Sequence, residues 1–224
     1  MAAETPAPLG PAEVRVLGSL VEKDITTHDY YPLTLNALTN ACNQSSNRDP
    51  VVSYSEQEVT RALDVLRERR LAFVFQGAES RVAKFGHRLL ETLELDRPGV
   101  ALLCVLMLRG PQTAGEVRSR TGRMHDFESL ADVEAALEAL CTRPAGALAA
   151  RLPRQRGMKE QRYAHLLGGP AEQAPPAQEG AGAQPAAALP GDERVARLEG
   201  EVEGMRREVA DLRRELSELK GQLG

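Results

Sequence analysis

The sequence contains no tryptophan and only four phenylalanine and four tyrosine residues among 224, so leucine, valine and alanine must supply most of the core. Its three cysteines, Cys42, Cys104 and Cys141, are an odd number at wide spacings, which favours buried free thiols over disulfides or a metal site. The longest apolar run, residues 100–108, is less than half of a membrane span. The first residues form neither the basic start nor the apolar run of a signal peptide. We therefore expect a cytoplasmic protein without membrane segments.

Motifs of catalysis and metal binding are also missing. The four histidines, His28, His87, His125 and His165, are scattered without the spacing of metal ligands. The glycine-containing segment 110–115 lacks the lysine and the preceding strand of a phosphate-binding loop, and no serine, cysteine or threonine lies in a nucleophile motif. We expect no catalytic residues, no metal, no cofactor and no enzyme activity.

A nine-residue pattern is present twice, at residues 58–66 and 132–140: an acid, Val, two variable residues, Ala-Leu, two variable residues and Leu. Its apolar positions fall on one face of an α-helix. Ser55 and Ser129 each stand three residues before the acid, which predicts a capped helix start. An apolar segment, a polar turn and a second apolar segment follow each copy, as in a helix followed by a β-hairpin. That order is typical of the end of a winged helix-turn-helix domain.

The pattern predicts a mainly α fold with small β-hairpins, of class α+β, containing two tandem winged helix-turn-helix domains. Residues 1–12 are rich in Pro and Ala and are expected to be disordered. The first domain spans residues 13–96 with a connecting helix, and the second spans residues 97–167. In the first hairpin, Leu71, Phe73 and Phe75 alternate as in a half-buried strand, and the helix at 100–108 is apolar nearly all round.

The remaining residues predict a flexible linker and then a coiled coil. Residues 168–193 consist largely of Pro, Ala, Gly, Gln and Glu, with little to bury. In residues 194–224, nine apolar residues alternate spacings of three and four, which is a heptad pattern. They are Val195, Leu198, Val202, Met205, Val209, Leu212, Leu216, Leu219 and Leu223.

The flanking charges favour a parallel homodimer of this segment. In a parallel pair each g residue meets the e residue five positions further along the partner helix. All four such pairs have opposite sign: Arg194 with Glu199, Glu201 with Arg206, Glu208 with Arg213 and Glu215 with Lys220. A single helix folding back on its own domains would explain the apolar stripe but not these charges.

Charge divides the chain into three parts, with net values of -4 for residues 1–96, +4 for 97–167 and -4 for 168–224. Only the middle part has an electrostatic reason to approach a polyanion. Its candidate nucleic-acid-binding residues belong to the second wing and to the end of the preceding helix. They are Arg118, Arg120, Arg123, Arg151, Arg154, Arg156, Lys159 and Arg162.

The repeated helices themselves are poor candidates for reading bases. Carboxylates repel phosphates and match few base edges. Such side chains crowd the exposed part of both copies, at Glu56, Glu58, Asp132, Glu134 and Glu138. The basic wing could instead contact DNA or RNA, dock on a protein, or be a solvated surface without a specific role.

Several longer strings carry a family resemblance. They include residues 30–38, 41–44, 46–51, 106–113, 123–124 and 159–163. With these strings the chain resembles the YceH-like family of uncharacterised bacterial tandem winged-helix proteins over about residues 12 to 167. The resemblance implies the fold, and it carries no activity and no binding residues. We expect a nucleic-acid-binding, regulator-like homodimer. The alternative is a protein-interaction scaffold similar to the winged-helix subunit of bacterial condensin complexes.

Overall fold

The computed structural model describes residues 8–76, 82–154 and 160–169, and every structural statement below concerns them. The fold is of class α+β, with helices and two small antiparallel sheets. The first half covers residues 11–87. Its elements are α1 (Pro11–Thr26), β1 (Leu33–Thr34), α2 (Leu35–Cys42), α3 (Glu56–Glu68), β2 (Ala72–Phe75) and β3 (Lys84–His87).

The second half covers residues 97–165 and repeats this order. A short helix, α4 (Leu89–Leu93), precedes it. Its elements are α5 (Arg97–Arg109), β4 (Gln112–Thr113), α6 (Ala114–Thr121), α7 (Leu130–Cys141), β5 (Ala149–Arg151) and β6 (Arg162–His165).

The two sheets have the same topology. The strand orders are β1-β3-β2 and β4-β6-β5, and every pairing is antiparallel. In both sheets the last residue of the two-residue strand also caps the following helix: Thr34 accepts from the backbone N–H of Ala37, and Thr113 accepts from that of Glu116. Each short strand therefore fixes the start of a helix against its sheet.

The predicted starts of the repeated helices are confirmed. Ser55 Oγ accepts from the backbone N–H of Glu58 at 3.3 Å, and the Glu58 carboxylate accepts from the backbone N–H of Ser55 at 2.8 Å. Ser129 and Asp132 form the same reciprocal pair at 3.2 and 2.9 Å. Side-chain oxygens thus satisfy backbone donors that have no partner within the helix.

Helices α1 and α5 join the two halves through the core. Residues 99–108 of α5 are all buried, as the apolar character of this helix predicts. The Cys104 thiol donates to the carbonyl oxygen of Gly18 at 3.4 Å. A Cβ atom added at Gly18 would lie 2.9 Å from Leu108 Cδ2, so the helices approach as closely as a glycine allows.

Cys42 and Cys104 are buried free thiols, as expected, whereas Cys141 is free and only partly buried. Burial raises the pKa of the Cys104 thiol, which keeps it protonated. Among the described residues, no helix has both the length and the hydropathy needed to cross a bilayer.

Two expectations need correction. Residues 8–12 were predicted to be disordered, but α1 begins at Pro11, and the buried Leu9 donates its backbone N–H to the carbonyl of Leu167 at 2.8 Å. The predicted alternation in the first hairpin is also wrong, because Leu71 and Ala72 are both buried while Phe75 is 52% exposed. Only the start of this strand faces the core, and its end extends beyond it.

The predicted linker and coiled coil lie mostly outside the described residues. Residues 168 and 169 of the predicted linker are described, and Gly169 donates its backbone N–H to the Leu166 carbonyl at 3.0 Å. The remainder of the linker and the predicted coiled coil at residues 194–224, with all nine heptad residues, lie outside the described residues.

Candidate functional site

Arg151, the first of the predicted basic residues of the second hairpin, forms its side-chain contacts with residues of the second half. Its guanidinium donates to the Glu138 carboxylate at 3.1 Å and to Tyr163 Oη at 3.0 Å, and it lies 5.5 Å from the centroid of the Tyr163 ring. The hydrogen bond to Tyr163 is the main cause of a raised pKa at Arg151. The contacts link α7 to β5 and β6. The Arg151 side chain is exposed, but its guanidinium already binds Glu138 and Tyr163.

The other predicted residues of the second half differ in their surroundings. Arg118 is exposed and donates to the Glu128 carbonyl at 2.9 Å. Arg154 is exposed, with no hydrogen bond or ion pair to the described part of the chain. Arg162 is half-buried in β6, opposite Thr113. Arg156 and Lys159 lie outside the described residues.

Arg120 and Arg123 line a pocket of about 50 Å³ between the two halves. Glu22 from α1, Asn47 from the loop after α2 and Arg109 from the end of α5 also line it. The arginine pocket, as we call it, therefore brings together three arginines from the second half with Glu22, Asn47 and also Thr26 from the first. Spacing along the sequence could not predict it, because these residues come from four separate segments.

One wall of the arginine pocket is anchored by the ion pair of Glu22 with Arg48. Arg48 is 6% exposed. Its guanidinium donates to the two carboxylate oxygens of Glu22 at 3.2 and 2.6 Å. It also donates twice to the carbonyl of Ala41, at 2.8 and 3.1 Å. Two parallel bonds between a guanidinium and a carboxylate fix both groups in orientation. Arg48 thereby holds the loop after α2 against α1.

Arg109 occupies the junction between this loop and α5. Its guanidinium donates to Asn47 Oδ1, and the backbone N–H of Asp49 donates to the carbonyl of Leu108 at 2.9 Å. Burial lowers the pKa of Arg109, and the positive charges of Arg120 and Arg48 lower it further. The carboxylates of Glu22 and Asp49 act in the opposite direction.

The exposed faces of α3 and α7 have the charges expected from the sequence. Glu56 and Glu58 are exposed at the start of α3, and Asp132, Glu134 and Glu138 are exposed along α7. Glu58 and Asp132 are used in helix capping, and Glu138 binds Arg151. These carboxylates therefore stabilise the fold locally, and they still present negative charge to any ligand that approaches the helices.

The first hairpin has an exposed apolar surface that the sequence pattern did not predict. Val74, Phe75 and Val82 are 41%, 52% and 56% exposed, and Tyr30 is 79% exposed before β1. On the same sheet the Arg88 guanidinium lies 5.4 Å from the centroid of the Phe73 ring. An exposed apolar group of this kind is a common feature of protein-binding surfaces.

The histidines are not arranged as metal ligands: in the described part of the chain, no three His, Cys, Asp or Glu side chains come together as a metal-binding group. His87 lies 3.3 Å from the Asp24 carboxylate through Nε2, and its Nδ1 accepts from the backbone N–H of Leu89 at 3.1 Å. The contact with His87 is the main cause of a lowered pKa at Asp24.

Comparison with known proteins identifies the family of this chain. The model of a family described as "Protein of unknown function, DUF480" matches residues 9–158, which takes in most of both halves. The chain belongs to the DUF480 family. This confirms the predicted membership of an uncharacterised bacterial family.

Relatives of this DUF480 protein extend over most of the chain. A UPF0502 protein of Opitutus terrae is 56% identical over 206 residues, covering 92% of this chain and 86% of the relative. A UPF0502 protein of Pelobacter propionicus is 51% identical over 220 residues, covering 96% and 98% respectively. The second alignment therefore extends well past residue 169.

Proposed function

We propose that the protein binds nucleic acid, in the manner of a transcription regulator, through two tandem winged-helix domains of which the second supplies the phosphate contacts. The order helix, strand, helix, helix, strand, strand supports the domain assignment, since it is present in both halves. So does the pairing of the short first strand with the last strand in each sheet. A winged helix-turn-helix domain has this order and this pairing.

The observation that carries the proposal is the exposed positive charge of the second half. Arg118, Arg123 and Arg154 are exposed, and residues 97–167 have a net charge of +4. Arginine side chains on such a surface can bind phosphates and release the counterions condensed on a duplex. Five phosphate contacts would give a slope of about -4.5 for log K against log salt concentration.

The acidic α3 and α7 make contacts to bases unfavourable, so the proposed binding depends mainly on the phosphate backbone. Affinity should then vary little between duplexes of different sequence at constant salt. A second copy of the chain would raise affinity through avidity. We propose that residues 194–224 supply this second copy as a parallel coiled coil.

A gel-shift series on random duplex DNA tests the proposal. Between 50 and 200 mM salt, the full-length chain should lose affinity by more than about 100-fold. Arg154→Ala with Arg156→Ala should make the slope about 2 units shallower. The matched control, Arg61→Ala with Arg67→Ala, removes two arginines from the acidic α3 of the first half and should leave the slope unchanged.

Absence of binding at 50 mM salt would refute the nucleic-acid proposal, as would equal slopes for the two double variants. The dimer is tested separately by sedimentation. The full chain should sediment as a dimer at tens of micromolar, and a chain ending at residue 193 should sediment as a monomer. An unchanged mass after this deletion would contradict the coiled-coil assignment.

A protein-interaction scaffold is the second candidate function, and the apolar surface of the first hairpin favours it. Val74, Phe75 and Val82 could pack against a partner that covers the end of the hairpin. Under this alternative, Phe75→Ser should weaken partner recovery from a lysate while Arg154→Ala has no effect. The reverse pattern, with loss of DNA binding on Arg154→Ala, supports the first candidate.

A further inference from the structure

The arginine pocket contains more positive charge than its carboxylates can balance. Of the nearby acids, Glu22 is bound at 2.6 Å by Arg48, and Glu116 lies 3.9 Å from Arg120, near the limit of an ion pair. Arg109 binds the uncharged amide oxygen of Asn47. Among the described residues, Arg109 therefore lines the pocket without an ion-paired carboxylate, and Arg120 has only the 3.9 Å contact with Glu116.

The positions of these arginines suit an anion bound where the second half meets the first. Arg109 and Arg120 are both half-buried, so their charges are screened less than those of fully exposed arginines. Arg123 is exposed and lies at the same pocket. A guanidinium presents a rigid set of N–H donors that matches the oxygens of a phosphate group.

The size of the pocket limits the anion. A volume of about 50 Å³ is room for roughly four water-sized spheres. A tetrahedral oxyanion presents four oxygens, so a single phosphate group fits these dimensions. Apolar side chains of Val105 and Met124 line the same pocket, which would exclude water from part of the bound group.

We propose that the arginine pocket binds the phosphate group of a small free molecule through Arg109, Arg120 and Arg123. The pocket shares Arg123 with the proposed nucleic-acid surface but does not include Arg154, and the proposal for its ligand does not depend on that function. Because Thr26 and Asn47 of the first half line the same pocket, binding should stabilise the packing of the two halves. The backbone phosphate of a nucleic acid offers the same chemistry, and the experiment must distinguish the two sources.

Isothermal titration of the full-length chain with inorganic phosphate, in a chloride buffer of constant ionic strength, tests the proposal. Saturable binding is expected below about 10 mM. Arg109→Ala should weaken it by about tenfold or more, because a charge-assisted donor pair is lost. Arg61→Ala, an exposed arginine of α3, is the control and should bind phosphate as the unmodified chain does.

A second variant guards against misfolding of the first. Arg123→Ala changes an exposed side chain, and it should weaken phosphate binding by about threefold or more while circular dichroism stays unchanged. No saturation by about 10 mM phosphate would overturn the proposal. Equal phosphate affinities for the unmodified, Arg109→Ala and Arg123→Ala chains would also overturn it.

Gel shifts of the same variants identify the source of the phosphate. If a free molecule is the ligand, Arg109→Ala should keep its duplex affinity, and Arg154→Ala with Arg156→Ala should keep its phosphate affinity. If phosphate competes with duplex, and Arg109→Ala weakens both, the pocket binds a backbone phosphate and the free-molecule proposal is wrong. A chain that binds phosphate but no duplex refutes only the proposed nucleic-acid function.

Discussion

Each half has a histidine at the equivalent position of its own sheet, but the surroundings of the two histidines differ. His87 pairs with Ala72 across β3 and β2, and His165 pairs with Ala149 across β6 and β5. His87 Nδ1 accepts from the backbone N–H of Leu89, and its buried Nε2 lies 3.3 Å from the Asp24 carboxylate without forming a hydrogen bond. The buried Nδ1 of His165 has no hydrogen-bond partner in the described residues. A repeated backbone therefore does not repeat the polar contacts.

The arginines of the two halves differ in a similar way. In the first half, Arg15 and Arg48 are buried, and their guanidinium groups donate to backbone carbonyls such as those of Cys42, Pro50 and Ala41. In the second half, Arg118 and Arg154 are exposed. The same residue type thus holds a loop in place at Arg15 and Arg48 of the first half and is exposed to a ligand at Arg154 of the second.

The largest expected effect comes from breaking this difference at Arg48. Arg48→Ala leaves the Glu22 carboxylate and the Ala41 carbonyl without their main donor, so the free energy of unfolding should fall by about 3 kcal/mol. Urea unfolding at pH 7 measures the change. Arg118→Ala, on the exposed surface of the second half, should change it by less than about 0.5 kcal/mol. Equal losses would contradict the contrast between the halves.

The second prediction concerns His165. Burial lowers the pKa of His165 to about 4, below the usual value of about 6.5 for histidine, so the unfolded chain takes up a proton at higher pH than the folded chain does. The free energy of unfolding should therefore be largest above pH 6.5 and fall as the pH drops towards 4. From pH 7 to pH 5, this group alone should remove about 2 kcal/mol.

Urea unfolding of the unmodified chain and of His165→Gln at both pH values measures this contribution. The variant should lose less stability on acidification than the unmodified chain. His28→Gln is the control, because the His28 side chain is 83% exposed, and it should retain the full pH dependence. The same pH dependence in all three proteins would show that His165 does not titrate as described.

A third, smaller effect tests the close contact between the halves. Gly18→Ala gains helix propensity but forces a Cβ to 2.9 Å from Leu108 Cδ2 and 3.2 Å from Met107 Cβ. The clash should outweigh the gain, for a net loss of about 1 kcal/mol. Gly115→Ala in α6 meets no atom within 4 Å and should be neutral or raise the melting temperature. Thermal unfolding compares the two variants, and a stabilising Gly18→Ala would mean that α1 and α5 pack less tightly.

The smallest effects should be alike in both halves. Ser55→Ala and Ser129→Ala each remove a side-chain acceptor at the start of a repeated helix. Each should cost about 0.5 to 1 kcal/mol. Denaturant midpoints measure the two losses side by side. If only one variant is destabilised, the two helix starts are not equivalent in solution.

The repeated helices could be predicted because their signals are local. A capping serine, an acid three residues later and apolar residues on one face determine a helix with little help from distant residues. The two-residue strands β1 and β4 could not be predicted this way, since two residues show no periodicity. Their pairing depends on β3 and β6, which are distant in the sequence.

The arginine pocket and the buried arginines show a second limit of the sequence. Nothing near Arg48 in the sequence indicates that Glu22, 26 positions earlier, neutralises it in the fold. Arg120 and Arg123 were predicted as surface contacts to nucleic acid, and the structure places them beside Arg109 in a pocket. The sequence reveals the net charge of a segment, but tertiary packing decides which of its charged side chains a ligand can reach.

The hydrogen bond between Leu9 and Leu167 brings the two ends of the described fold together, and Pro8 lies against Gly169. Chains with adjacent ends tolerate circular permutation. A short linker from residue 169 to residue 8, with a new opening in the exposed segment 144–147, would reorder the molecule while leaving α1 against α5. A fluorescent group attached before residue 8 would likewise lie close to Gly169, and a change in its emission would report a ligand that binds beside Gly169.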